Sequence, residues 1–377
     1  MKDTVNKSNS LTVGVLGGGQ LGRMLALAGY PLGLQFVFYD RNPEACASDL
    51  GKMTVGEFDD TDQLTAFAQQ VDLATVEFEN IPLTAMEHVA KSVPVYPAPS
   101  ALSAAQDRLE EKQLFATLEI PTPAFYVVDD AQQLADAVND RGEPLIVKSR
   151  RFGYDGKGQL PLIKASDAEA VWSQLGGVPL VAEQRMLFSR EVSLVAVRNR
   201  RGEYRYYPLT ENVHQHGILI KSRVTHGDHL QSIAEDYTRR LMDVLDYVGV
   251  MAVEYFDCDG ELFANEIAPR VHNSGHWTIE GAVTSQFENH LRAILDWPLG
   301  DTSARGDCLM YNLIGEPRHP STLLNVPGSH LHYYGKSPRP GRKLGHVTLC
   351  DPDDEHIKML EAVLDGDVAQ ISERSVL

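Results

Sequence analysis

Two glutamates, Glu254 and Glu266, sit in apolar runs at 250–256 and 262–267 on either side of Asp257-Cys258-Asp259-Gly260. That intervening string is a strong hairpin signal. A turn centred near Asp259-Gly260 sets the two carboxylates within a residue of directly opposite, where they repel unless a cation lies between them. Hard oxygen ligands of this kind suit Mg²⁺, which typically bridges one or two carboxylates and the phosphates of a substrate. Two glutamates on opposite faces, or at a wet edge, are the plainer alternative. Asn265-Glu266-Ile267-Ala268-Pro269-Arg270-Val271-His272-Asn273-Ser274-Gly275-His276-Trp277 follows at once, and its range of polar donors reads better as a site than as a surface loop. His272 or His276 alone would be an ordinary polar histidine. No G-x-S-x-G elbow surrounds Ser274, so a serine hydrolase is rejected.

Phosphate chemistry is suggested further upstream. Lys148 ends a strand-like run and is followed by Arg150, Arg151 and Gly153-Tyr154-Asp155-Gly156-Lys157-Gly158. Glycines let backbone N–H groups approach phosphate oxygens, and Lys148 and Lys157 add charge. A solvated basic hairpin is the bland reading, and a Walker A string is absent. Glu183 closes one strand and Glu191 opens the next, so their value depends on the loop before them and the hairpin after. Gly17-Gly18-Gly19-Gln20-Leu21-Gly22 satisfies G-x-G-x-x-G between a strand and a helix, with Asp40 at the end of the next strand. Such a turn holds a dinucleotide, holds another phosphorylated ligand, or only lets helix and strand pack closely.

The elements that must position these residues form three regions. Leu11–Leu16, Gln35–Tyr39 and Ala74–Phe78 read as buried strands, with a helix over Gln20–Ala28, which gives a βαβ unit and a parallel sheet. Three prolines in Val93–Ser100 mark an extended linker and a domain boundary, after which Ser100 caps a helix to about Leu118. Strands follow at Pro144–Lys148, Val178–Glu183 and Val192–Arg198, then a helix at Asp236–Leu245, the hairpin, and a break at Asp296–Gly300.

Composition narrows the class. At 377 residues the chain exceeds the ~250–300 at which one core stops growing, so two or three domains are expected. A charge of −18 opposes general nucleic-acid binding, so cations for an anionic ligand must be concentrated locally. No apolar run reaches the ~20 residues of a membrane span. The polar stretch 1–10 predicts a loose tail without a secretory signal, and Cys46, Cys258, Cys308 and Cys350 are too scattered for a zinc ribbon or disulfide framework. A cytoplasmic setting fits.

Taken together, these segments resemble the ATP-grasp superfamily and, within it, the 5-(carboxyamino)imidazole ribonucleotide synthase family of bacterial purine biosynthesis. The matching strings are GGGQLGRML at 17–25, DRLEEKQLF at 107–115, GYDGKGQ at 153–159, AEQ at 182–184, REVSLV at 190–195, ENVHQHGIL at 211–219, VGVMAVEYF at 248–256, NEIAPRVHNSGHWT at 265–278 and PGRKLGH at 340–346. Phe152 stands where members often have a glycine, and the tail before Leu11 has no counterpart.

The resemblance implies a mixed α/β and α+β ATP-grasp fold: an N-terminal Rossmann-like (pre-ATP-grasp) domain at 11–104, a small lid domain at 105–185, a core domain at 186–300 and a C-terminal subdomain at 301–377. It implies ATP, Mg²⁺ and a homodimer. Arg108, Lys148, the loop Gly153 to Gln159, Glu191, His214, Asn265 and Glu266 would meet ATP, with Glu183, Gln184, Arg185 and Met186 as the adenine hinge. Glu254 and Glu266 would hold Mg²⁺. Gly19, Gln20, Leu21, Glu77, Tyr154, Asp155, Asn273, Ser274, Lys336, Arg342 and Lys343 would face 5-aminoimidazole ribonucleotide. Arg270, His272 and Lys336 would act in carboxylation by bicarbonate through carboxyphosphate, with ADP and phosphate released. A formyl-transferring ATP-grasp enzyme acting on glycinamide ribonucleotide shares the layout, though a string other than VHNSGHW is expected there. A nicotinamide-dependent dehydrogenase leaves the Glu254/Glu266 hairpin unexplained. A non-catalytic nucleotide-binding protein would not need Arg270, His272 and the basic loop at 336–343.

Overall fold

Runs of β-branched and aromatic residues that are buried on both faces favour parallel strands covered by helices. Residues 12–96 build such a layer. In the computed structural model, which describes residues 10–153 and 156–374, five parallel strands run in the order β3-β2-β1-β4-β5. They are β1 (Thr12–Leu16), β2 (Gln35–Asp40), β3 (Lys52–Val55), β4 (Leu73–Val76) and β5 (Val95–Tyr96). The chain moves outward from β1 and then returns to its other side with β4. The ends of β1 and β4 therefore form a topological switch point, where α/β sheets open a crevice. The glycine turn leaves β1 here and Glu77 leaves β4. The proline-rich stretch is extended as expected, but Val95 and Tyr96 also pair with β4 as an edge strand, a place where proline is tolerated.

A second, antiparallel sheet has the order β6-β9-β7-β8: β6 (Phe125–Val128), β7 (Leu145–Ser149), β8 (Gln159–Leu162) and β9 (Leu180–Gln184). Its own small core comprises Val128, Leu134, Val147, Leu162 and Leu180. The helix expected from Ser100 to Leu118 is divided. Helices Pro99–Gln106 and Arg108–Thr117 meet at Asp107, whose backbone is extended, so Ser100 lies inside a first turn and is not the cap. Asp107 is the cap: its carboxylate accepts from Leu109 N–H and, in a two-pronged pair, from Arg150 Nε and Nη2.

The third sheet is antiparallel and the largest. It contains β10 (Arg190–Arg198), β11 (Tyr204–Tyr206), β12 (Thr210–Gln215), β13 (Ile218–Val224), β14 (Gly249–Cys258), β15 (Glu261–Ala268), β16 (Cys308–Ile314), β17 (Ser329–Tyr333) and β18 (Lys343–Cys350). The order is β15-β14-β10-β12-β13-β16-β18-β17, with β11 beside β10. Strands from 308–350 thus extend the sheet that carries Glu254 and Glu266. Helix Gln20–Gly29 packs on helix Gln286–Ile294, and Leu21 and Leu25 share one core with Phe287 and Leu291. His290 links the layers further: Nδ1 accepts from Val250 N–H, and Nε2 lies 2.8 Å from Thr75 Oγ1. This packing holds the switch point beside the third sheet. No helix among the described residues is long and apolar enough to cross a membrane.

Candidate active site

The Asp259-Gly260 turn has positive φ at both residues, 54° and 92°, which suits the twist of a two-residue hairpin. It sets Glu254 directly opposite Glu266. A bulge follows: Glu254 pairs Glu266 and Tyr255 pairs Ala264, which leaves Asn265 as the extra residue in β15. A bulge re-aims side chains that strict alternation would send to opposite faces. Asn265 Oδ1 accepts from Lys148 Nζ at 3.2 Å, while Glu266 Oε2 accepts from Arg108 Nη1 at 3.0 Å.

The charges are unevenly balanced. Burial, then Glu266 across the ladder, pushes the Glu254 carboxyl up to about 7. Burial acts on Glu266 too, but Arg108 and Lys148 hold it below the usual carboxylate range. A divalent cation would relieve this pair. Among the described residues no cluster of three or more His, Cys, Asp or Glu side chains suits a metal. The two carboxylates therefore suit Mg²⁺ that takes its remaining ligands from phosphates and water.

Lys148, at the end of β7, reaches Glu183 Oε2 on neighbouring β9 at 3.0 Å. Lys112 approaches the same oxygen at 3.3 Å and donates to Asn265 O at 3.0 Å. Burial would raise Glu183, yet these two ammonium groups bring it down to about 2. Glu183, expected in the adenine hinge, is thus a buried anchor for two lysines. Gln184 and Arg185 continue into the link between the second and third sheets, their N–H groups bonded to Ala124 O and Pro144 O. Met186 follows half-buried and Leu187 is 87% exposed.

Glu191 Oε2 lies 2.7 Å from His214 Nδ1. Burial opposes charge on His214, but Glu191 and Glu254 raise its pKa. The glycine loop approaches from the lid. A Cβ on Gly153 would meet Arg108 Nη2 at 3.0 Å, and one on Gly156 would meet His216 O at 2.6 Å, so the loop spans helix Arg108–Thr117 and the β12–β13 turn. Gln159 pairs with Lys148 at the base, next to Gly158, and Lys157 lies within the loop. Tyr154 and Asp155 lie outside the described residues.

At the switch point, Gly18 N–H donates to Asp40 Oδ2 at 2.8 Å. The acidic residue that a dinucleotide would need for its ribose instead closes the glycine turn. Glu77 Oε1 accepts from Leu21 N–H at 3.1 Å, and a Cβ on Gly19 would collide with that oxygen. The glycine is therefore needed for close approach of a carboxylate. The side chain of Leu21 is buried in the core, and its backbone N–H serves Glu77. Gln20 opens the helix beside it. Burial raises Glu77 more than the Leu21 amide, Arg270 and Lys336 lower it. Burial lowers Lys336, with Cys46 and Glu77 opposing. Arg342, from the same basic loop, also acts on Cys46, whereas Lys343 acts on Glu254 and His214. The loop therefore reaches both ends of the crevice.

Arg270 donates from Nε to Glu79 and from Nη1 to Val271 O. His272 Nε2 lies 3.4 Å from Glu254 Oε1. Asn273 and Asn312 exchange reciprocal amide hydrogen bonds at 3.0 and 2.8 Å. Ser274, expected to face the ribonucleotide, is fully buried here with its hydroxyl bonded to Ser193 and His272.

Lys112, Glu79 and Glu111 were not legible as site residues. Glu111 Oε1 accepts from Ile267 N–H at 2.6 Å, and burial pushes it up to about 8. One signal was available: Arg108, Glu111, Lys112 and Phe115 follow i, i+3, i+4, i+7 spacing, so three charges share the helix face of a core aromatic.

A lid sheet facing a carboxylate hairpin across a lysine and a glycine loop defines the nucleotide site of an ATP-grasp protein, and the ATP-grasp domain model matches residues 113–287. The ribonucleotide synthetase preATP-grasp domain matches 10–106, and the phosphoribosylaminoimidazole carboxylase C-terminal domain matches 308–359. The N5-carboxyaminoimidazole ribonucleotide synthase of Pseudomonas aeruginosa is 50% identical over 339 residues, covering 90% of this chain and 94% of that one. The N5-carboxyaminoimidazole ribonucleotide synthetase structure from Thermus thermophilus is 51% identical with a TM-score of 0.87, over 94% of this chain and 96% of that one. The Aspergillus clavatus synthase, solved with ADP and 5-aminoimidazole ribonucleotide, is 31% identical with a TM-score of 0.87, over 95% and 99%. The chain belongs to the N5-carboxyaminoimidazole ribonucleotide synthase family.

Proposed function

We propose that this protein carboxylates the exocyclic amine of 5-aminoimidazole ribonucleotide with bicarbonate, at the expense of ATP, in purine biosynthesis. The observation that carries the reading is that two chemistries meet across Arg270, whose charge acts on both Glu77 and Glu266. Glu254, Glu266 and Lys148 stand at one end, and the glycine turn, Glu77 and Lys336 at the other.

Bicarbonate oxygen attacks the γ-phosphorus and ADP leaves. The amine nitrogen then bonds the carboxyl carbon of carboxyphosphate as its C–O bond to phosphate breaks, or bonds the CO₂ which that cleavage has released, and the proton shed by the nitrogen leaves with phosphate. Phosphoryl transfer spreads negative charge over oxygens, and positioning with electrostatic stabilisation is most of what a protein supplies. Lys148, fixed by Glu183 and Asn265, brings a cation to that charge. Glu254 and Glu266 would hold Mg²⁺, which when bound would further neutralise the phosphate oxygens. Arg270, held by Glu79 between Glu77 and Glu266, and His272 beside Glu254 are assigned to the carboxyphosphate step. The loop Gly153 to Gln159 covers the phosphates and excludes water, whose attack on carboxyphosphate would waste ATP. The link 184–186 receives the base and Glu191 the ribose. Asn273 helps to hold the turn at the ribonucleotide end. The domain division given above, a cytoplasmic location and a homodimer belong to this reading, and light scattering in solution checks the last.

The test is ADP release with each candidate ribonucleotide, with and without bicarbonate. Release that requires both 5-aminoimidazole ribonucleotide and bicarbonate is expected. Release that follows formate and glycinamide ribonucleotide instead would replace this reading with formyl transfer.

A further inference from the structure

The turn carrying His272 rests on a line of buried polar side chains to which the reaction above gives no role. Ser222 Oγ donates to Asn212 Oδ1 at 2.8 Å, and Asn212 Nδ2 donates to Ser193 Oγ at 2.8 Å. Ser193 Oγ donates to Ser274 Oγ at 2.7 Å. Ser193, Ser222 and Ser274 are completely buried, and Asn212 nearly so. Ser193 lies directly opposite Glu254 on adjacent strands, a sheet position that an apolar residue could fill. Burying hydroxyls and an amide costs free energy unless each is partnered, and none of these atoms is left without a partner. The sequence thus places a complete polar network where a simpler core would do.

The network has a direction. A hydroxyl can rotate, but an amide has distinct donor and acceptor ends, and Asn212 offers its oxygen to Ser222 and its NH₂ to Ser193. Ser193 therefore spends its one hydrogen on Ser274. Ser274 already accepts that hydrogen, so its own goes on to His272 Nδ1, 2.8 Å away. The Ser274 backbone N–H, which only donates, points at the same nitrogen at 3.3 Å. A ring nitrogen that receives two donors carries no hydrogen, so the imidazole proton is on Nε2. Nε2 faces Glu254 Oε1 at 3.4 Å. Gln286 fixes the backbone beneath, accepting from His272 N–H at 2.9 Å and donating to His272 O at 2.6 Å.

We propose that Ser222, Asn212, Ser193 and Ser274 form a one-way hydrogen-bond chain that holds His272 as the neutral Nε2–H tautomer. His272 then serves the acyl-phosphate step as a hydrogen-bond donor and not as a base at Nε2. The last clause rests on the function proposed above, whereas the tautomer does not. Ser193, Asn212 and Ser222 are positioning residues, since none reaches the crevice.

Two measurements on the full chain test this. Long-range ¹H–¹⁵N correlation on histidine-labelled protein, with His272 assigned by its loss in His272→Gln, reads the tautomer without substrate. Nε2–H in the wild type is expected, and Nδ1–H overturns the proposal whatever the enzyme's activity. Absence of turnover with an Nε2–H ring would instead strike at the proposed function. In Ser193→Ala the Ser274 hydroxyl loses its donor and is free to turn from the ring. The Nδ1 ¹⁵N shift should move, because only the longer bond from the Ser274 backbone N–H is then fixed on that nitrogen, and kcat should fall about tenfold, the worth of one hydrogen bond in a rate, with KM for ATP unmoved. Ser193→Thr keeps the hydroxyl and should restore both. If Ser193→Ala leaves the Nδ1 shift and kcat unchanged, or the threonine variant changes them as much as the alanine one, the chain is only packing and the proposal fails. Ser222→Ala, at the far end, repeats the test should Ser193→Ala not fold.

Discussion

Burial by itself would keep the Glu183 carboxyl protonated, but Lys148 and Lys112, at 3.0 and 3.3 Å, bring it down to about 2. A carboxyl depressed below its unfolded value of about 4.3 contributes stability that is fully present above that pH. The contribution is lost as pH falls from there through about 2. Glu183→Gln leaves two buried ammonium groups without a counter-ion, a change that costs about 3–5 kcal/mol. Urea denaturation should show that loss at neutral pH, and the acid limb of the variant's stability curve should be flatter; a loss under about 1 kcal/mol would mean the lysines are neutralised elsewhere. Glu254 has the opposite sign. Pushed up to about 7 by burial and by Glu266, it makes the ligand-free fold less stable as pH rises from about 4.3 through 7. Glu254→Gln should therefore raise the melting temperature without ligand near pH 8. The same variant should lose the Mg²⁺-dependent stabilisation by ATP, which in the wild type amounts to about 2.7 kcal/mol at a hundredfold excess over Kd. A persisting Mg²⁺-dependent shift would remove Glu254 from the cation site.

At the scale of elements, what could be read from the sequence was local. Period-two and helical apolar runs, the Asp259-Gly260 turn and the glycine turn after β1 each carry their signal within a few residues. The Glu254/Glu266 pairing followed from counting outward from the turn. The bulge at Asn265 did not, because it depends on which neighbouring residues β15 must serve: Lys148 and Lys112 on one side, Arg108 on the other. Partners far apart in the chain, such as Arg270 with Glu79 at a separation of 191 residues, leave no local trace. Among the charges on helix Arg108–Thr117 nothing local marks Lys112 for burial, yet the fold buries it. The lid loop illustrates the reverse, a departure legible in sequence whose meaning needed the backbone. Phe152 is 69% exposed and sits at φ 64°, in the left-handed region that a glycine occupies freely. A bulky residue there costs about 1–2 kcal/mol, while a glycine costs roughly 0.4–1 kcal/mol through the unfolded chain. Phe152→Gly should thus stabilise the protein by about 1 kcal/mol or less, read as a small rise in melting temperature. A clear fall would show that the aromatic ring makes a contact worth more than the strain.

The whole molecule solves a problem posed by its own charge. At −18 it must gather cations from distant segments to bind two phosphorylated substrates. For the nucleotide it draws Arg108, Lys112 and Lys148 toward the carboxylate hairpin. The loop 336–343, with four cations in eight residues, comes from the far end of the chain to the glycine turn and Glu77, where the proposed function puts the ribonucleotide. On the function proposed above the loop and the turn would be two walls of one site and not rival sites; the packing of helix Gln20–Gly29 on helix Gln286–Ile294 holds the turn beside the third sheet. Half-buried Lys336 and Arg342 stand where an anion would be gripped, and Arg342 is oriented by its bond to Ser337 O at 3.2 Å. A charge-assisted hydrogen bond contributes about 1.5–3 kcal/mol, so Lys336→Ala or Arg342→Ala should weaken ribonucleotide binding about 10- to 150-fold. ATP affinity should hardly change, because Lys336 acts on Cys46 and Glu77, and Arg342 on Cys46, at the end of the site away from the carboxylate hairpin. Lys343 provides the contrast within the same loop: it acts on Glu254 and His214, so Lys343→Ala should disturb both ligands. Titrating each variant separately with ATP and with 5-aminoimidazole ribonucleotide decides the matter. Unchanged ribonucleotide affinity in both Lys336→Ala and Arg342→Ala would assign the phosphate to the N–H groups of the glycine turn alone.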